Sequence, residues 1–177
     1  MTIEAFNVLL SLGTLVLAAV TLALVAAYIF RIDIGISFGT WGVWIGLFAL
    51  LGGVAVTLIH SGLYKLPPCP LCYWQRIFLY PQVALFGLGI IRRASGEARR
   101  ILVESSLVLS CIGLGIALYH HALQMFPGSG LPCPANGSVS CAQIFYLEFG
   151  FLTYPLMAAA LFSFIIVLML FVRRSRA

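Results

Sequence analysis

Apolar residues run along this chain in long blocks separated by short polar turns, and the blocks set the architecture. Five of them, at 6–30, 37–60, 71–91, 101–126 and 144–172, approach the roughly 20 helical residues that cross a bilayer. The expected fold is therefore all-α: a polytopic membrane bundle forming one compact domain, with no independent soluble module. The first block, Phe6 to Phe30, is rich in Leu, Ala and Val and reads as a packing or lipid-facing helix. No basic residue precedes it and Glu4 is its one charge, so a retained span fits better than a signal peptide. Gly52 and Gly53 should let another helix approach the second block closely. Pro70 suits the first turn of the third helix, whose N–H groups need no intrahelical partner. Pro81 should bend that helix, and Tyr154-Pro155 suggests a bend in the last one. Ile144 to Phe151 reads as an interfacial segment ahead of the final crossing.

Composition and charge sharpen this picture. The 177 residues are 62% hydrophobic and 8% charged, where a soluble domain carries about a quarter. The formal charge of +5 sets topology and does not mark a nucleic-acid surface. Arg31 follows the first block, Arg92, Arg93, Arg99 and Arg100 fill the turn after the third, and Arg173, Arg174 and Arg176 close the chain. Those three segments are two spans apart and belong on the cytoplasmic side. The N-terminus then lies outside and the C-terminus inside. Cys69, Cys72, Cys133 and Cys141 fall in the outer connections, in a compartment where disulfides persist.

Cys69-Pro70-Leu71-Cys72 is a Cys-x-x-Cys pair at a loop-to-helix junction, a spacing shared by redox and zinc sites. Cys133 and Cys141 bracket a short polar loop that can close a disulfide and move. Two dithiols in an oxidising compartment favour thiol–disulfide exchange over a tetrahedral zinc site or a purely stabilising pair of bridges. Cys72, near the amino end of its helix, is the expected thiolate, because free N–H groups favour negative charge there. Arg76 follows four residues later on the same face. A guanidinium close to hydrocarbon is costly. It is either an interfacial anchor that snorkels or a stabiliser of charge on Cys72 and on a bound electron acceptor. Cys111, midway along the fourth span, reads as a small buried hydrophobe outside any relay. His120 and His121 near the outer end of that span are either helix anchors or donors to a quinone oxygen, with Gln124 on the face of His120. Polar residues do not line several spans continuously, which argues against a channel or transporter.

Cys69-Pro70-Leu71-Cys72 with Gln75 and Arg76, then His120, Gln124, Pro127, Cys133 and Cys141, resembles the DsbB family of quinone-dependent membrane oxidases. The short Cys133–Cys141 loop and Phe149-Gly150-Phe151-Leu152-Thr153-Tyr154-Pro155 are most similar to its compact BdbC-type branch. The resemblance covers residues 37–172 and implies a four-helix redox bundle over 36–177. It leaves residues 1–35 as an additional N-terminal transmembrane helix and inner turn. It implies that a reduced, extracytoplasmic thioredoxin-fold oxidase of the DsbA/BdbD type attacks Cys133 and displaces Cys141. Cys141 then exchanges with Cys69, and Cys72 is left beside the quinone, ubiquinone or menaquinone. Gln75, Arg76, His120, His121 and Gln124 are the polar residues expected around that quinone. A reductase of the vitamin K epoxide reductase type places its cysteine pairs in a different order, and a disulfide-stabilised scaffold would not turn over.

Overall fold

The computed structural model describes residues 3–32, 38–126 and 140–175. Five α-helices make up the fold: α1 (Ile3–Ile29), α2 (Phe38–Leu58), α3 (Pro70–Ile91), α4 (Gly96–Met125) and α5 (Tyr154–Arg174). A single π-helical turn, Ile59–Leu63, extends α2. Four of the five, all but α3, are long and apolar enough to cross a membrane. Gln75, Arg76 and Gln82 make α3 more polar, yet its 22 residues span about 33 Å at 1.5 Å per residue. Cys69 at its start lies beside His120 at the end of α4, and Gly89 near its end packs on Leu102 near the start of α4. The third helix therefore traverses the same layer as its neighbours.

α5 is the hub. It packs on α1, α2 and α4, and 56% of its most apolar window is buried, against 11% for α1. Phe162, Ile165, Leu168 and Met169 of α5 form the centre of the core with Leu50 of α2 and Phe86 of α3. Close approach rests on small residues, because lipid supplies no hydrophobic drive between helices. Gly53 of α2 backs directly onto Leu161, and Gly113 of α4 onto the Phe162 ring. Gly52, by contrast, faces open space, so one glycine of the pair makes the contact. The fully buried Gln82 is satisfied: Ser106 and Ser110 of α4 donate to its Oε1, at 2.8 and 3.1 Å.

Two expectations change. The final helix starts at Tyr154 and not at 144, with Thr153 as N-cap and Pro155 in the first turn. Proline is pre-organised for that position, so Tyr154-Pro155 begins α5 and does not bend it. Pro81 lies inside α3. The residues ahead of α5 form a tight turn, with Glu148 bridged to Leu152 and Phe149 and Gly150 at φ of 53° and 76°. Ile144, Phe145, Leu147, Phe149 and Phe151 are exposed around it.

Candidate redox site

Cys69 is the N-cap of α3, in extended conformation, and Pro70 opens the helix behind it. An N-cap side chain accepts from the free N–H groups of the first turn. Here the Cys69 Sγ accepts from the Cys72 backbone N–H at 3.4 Å, and the Cys72 Sγ lies 3.0 Å away. His120 Nε2 approaches the Cys69 Sγ at 3.5 Å. Gln75 Nε2 is 3.1 Å from His120 Nδ1, and an amide N–H donating there leaves the ring proton on Nε2, aimed at the sulfur. The hydrogen bond from the Cys72 thiol holds Cys69 well below the usual thiol range; burial opposes this and His120 adds to it. Negative charge is thus favoured on Cys69, chiefly by the Cys72 thiol, with the helix N–H a lesser contribution. Expectation placed it on Cys72, one turn too far along to be the cap.

Cys72 instead faces a cavity of about 420 Å³, within the roughly 300–1,000 Å³ of small-molecule sites. Its walls are mainly apolar: Leu9, Leu10 and Leu17 of α1, Val56 of α2, Pro67 and Pro68 of the connecting loop, Leu79 of α3, and Met157 and Leu161 of α5. Gln75, Arg76, His60 and Tyr154 are the larger polar side chains on it. Arg76 Nη2 donates to the Thr57 carbonyl at 3.2 Å, and its guanidinium lies 5.8 Å from the centre of the Tyr73 ring. Among the described residues no carboxylate pairs with Arg76. A half-buried, uncompensated cation on an otherwise apolar cavity suits a ligand with electron-rich oxygens and an apolar body.

Behind the first pair stands Cys141. Cys141 is 1% exposed, disulfide-bonded, and packed in one small cluster with Cys69, Leu71 and Leu123. Cys133 lies outside the described residues. Cys69, Cys72 and His120 present ligand atoms within 4.8 Å of one another, three of the four donors of a tetrahedral zinc site. A four-cysteine site would also need the Cys141 thiolate, which its disulfide removes.

The remaining residues singled out by sequence are placed elsewhere. His121 Nδ1 lies 2.8 Å from Thr153 Oγ1 and ties α4 to the start of α5. Gln124 Nε2 donates to the Gln143 carbonyl at 3.0 Å, anchoring the segment after Cys141. Neither these two nor His120 lines the cavity. Cys111 is exposed on α4, not buried. Sequence reasoning missed His60 and Tyr154. A histidine ending an apolar span is itself a signal, because ionisable groups at membrane depth are expensive.

The sequence model described as "Disulfide bond formation protein DsbB" matches residues 39–172. Among curated proteins, a probable disulfide formation protein of Oceanobacillus iheyensis is 34% identical over 76% of this chain and 88% of its own length. A probable disulfide formation protein of Chlamydia trachomatis is 36% identical over 70% of this chain and 86% of its own. Probable disulfide formation protein C 2 of Bacillus anthracis is 36% identical over 64% and 77%. No solved structure matches. A capped Cys-x-x-Cys pair, the disulfide-bonded Cys141 packed against it and a match across most of the chain converge: the protein is a membrane oxidoreductase of disulfide bond formation and belongs to the DsbB family.

Proposed function

We propose that the chain is a protein-disulfide:quinone oxidoreductase of a prokaryotic cytoplasmic membrane. It reoxidises an extracytoplasmic thioredoxin-fold oxidase of the DsbA/BdbD type. The observation that carries this reading is the position of the first pair between two different neighbours. Cys69 packs against Cys141 on one side, and Cys72 borders the cavity with Arg76 on the other. Electrons can enter at one sulfur and leave at the other.

In the cycle, a thiolate of the reduced partner attacks Cys133, and the Cys133–Cys141 bond breaks with its electron pair on Cys141. The partner's second thiol resolves the mixed disulfide, so the partner leaves oxidised and two electrons remain on Cys133 and Cys141. Cys141 attacks Cys69 and displaces Cys72 as thiolate; Cys133 then attacks Cys141, which re-forms the second disulfide and releases Cys69 as thiolate, so the two electrons rest on Cys69 and Cys72. Cys69 is suited to receive that attack because it is packed with Cys141 and held by the helix cap and His120. The cavity fits a quinone, with apolar walls for the ring and tail and Arg76 and Gln75 for the oxygens. A quinone bound there supplies the two-electron sink, worth about 1.4 kcal/mol for each 30 mV of favourable difference. Arg76 favours negative charge beside Cys72.

The test is anaerobic quinol formation by the purified protein with a reduced thioredoxin-fold partner and a short-tailed quinone. Stoichiometric quinol is expected from wild type and none from Cys72→Ser or Cys133→Ser. Arg76→Ala should slow quinol formation at least tenfold while leaving partner binding intact. A folded wild-type protein that produces no quinol with a competent partner would replace this reading with a scaffold or another acceptor.

A further inference from the structure

Helix α1 lies outside the residues matched by the family, yet it is built into the cavity. Its sequence is almost uniformly apolar, and most of it is exposed, as suits a helix in lipid. Of its four buried residues, three are polar: Asn7, Ser11 and Thr21. Asn7 and Ser11 are one turn apart on one face. Asn7 Oδ1 accepts from the Tyr154 hydroxyl at 3.1 Å and lies 3.0 Å from His60 Nε2, and His60 Nδ1 lies 2.8 Å from the Val56 carbonyl. Ser11 Oγ is 3.0 Å from the Tyr146 hydroxyl, which donates to Glu148 at 2.8 Å. In hydrocarbon each of these polar groups would be costly alone. Together they pin the outer end of α1 to α2, to α5 and to the turn before α5. Just below the pins, Leu10, Gly13, Thr14 and Leu17 face the cavity that holds Cys72 and Arg76. A side chain added at Gly13 would meet nothing within 4 Å, so this position opens on empty space and not on packed protein.

We propose that α1 is a wall of the electron-acceptor site, clamped by Asn7 through His60 and Tyr154, and that the quinone tail lies along its Leu10–Leu17 face. The inference rests on the quinone reading above and adds to it a binding surface that the four-helix bundle lacks. Asn7 and His60 are positioning residues in this arrangement. They fix the wall, and with it the distance from α1 to Arg76. The small burial of α1 fits this role, since its inward face meets a ligand where other helices meet side chains.

Photolabelling of the full-length wild-type protein with an azidoquinone, mapped by mass spectrometry, tests the wall directly and needs no variant to fold. Labelling of α1 peptides that excess unmodified quinone suppresses is the expected result. In turnover, Gly13→Phe should raise KM for a short-tailed quinone at least tenfold. It should leave the quinone-free reduction of the enzyme's cysteines by the partner unchanged. Leu22→Phe, at a position 70% exposed, should match wild type. Saturable labelling confined to other helices, or a wild-type KM in a folded Gly13→Phe, would overturn the role of α1 while the quinone reading stands. Absence of saturable labelling together with absence of quinol would overturn the quinone reading, and this inference with it.

Discussion

Cys69 shows how much of a cysteine's chemistry is decided by one backbone position. As N-cap it receives a helix N–H, and the imidazole of His120 reaches it from another helix with its proton set by Gln75. A lowered thiol pKa stabilises the folded, reduced protein fully above the ordinary thiol value of about 8.5. That stabilisation is lost as pH falls through the lowered folded value. The thiolate absorbance of the reduced protein, taken as the difference from Cys69→Ser, should therefore persist well below the ordinary thiol range. Cys72→Ala should raise the midpoint most and His120→Ala less. A wild-type midpoint in the ordinary range would remove the cap and imidazole from the account. Sequence made the pair of cysteines legible, and Arg76 with it. It did not separate the two sulfurs, although Pro70 in the first turn puts Cys69 at the cap and Cys72 three residues along the helix. Nor could it place His120 on Cys69, since the two come from residues far apart in the chain.

Among the elements, α5 holds the bundle and does so through contacts a sequence shows only as isolated glycines. The Phe162 ring rests where a Cβ at Gly113 would stand. Gly113→Leu should therefore cost about 1–3 kcal/mol, the range for overpacked cores, read as a lowered midpoint of thermal unfolding in detergent. Cys111→Leu, two residues away on the exposed side of the same helix, should stay within about 0.5 kcal/mol. Equal effects would refute the packing order. Helix number and most boundaries were readable, because about 20 apolar residues in a row leave few alternatives in lipid. The start of α5 was read less sharply, because the apolar run begins at Ile144, ahead of the helix. Thr153 as cap and Pro155 in the first turn settle it locally.

For the molecule as a whole, the arginine pattern predicts an orientation that reporter fusions can check. A fluorescent protein fused after the last residue should be active in the cytoplasm, and an impermeant maleimide should reach a cysteine placed at Lys65 from outside. The reverse pattern would put both cysteine pairs in the reducing compartment and end the proposed cycle. The chain by itself determined a helical membrane protein, its side-by-side spans, its two cysteine pairs and its family, because hydrophobic run length, charge bias and Cys spacing are local properties. Only the tertiary structure decided which groups meet. It packed Cys141 against Cys69, moved His120, His121 and Gln124 off the cavity wall, and brought His60, Tyr154 and α1 onto it. The reason is physical: lipid-exposed and cavity-facing positions are equally apolar in sequence, so hydropathy marks the helix but not the side of it that faces another.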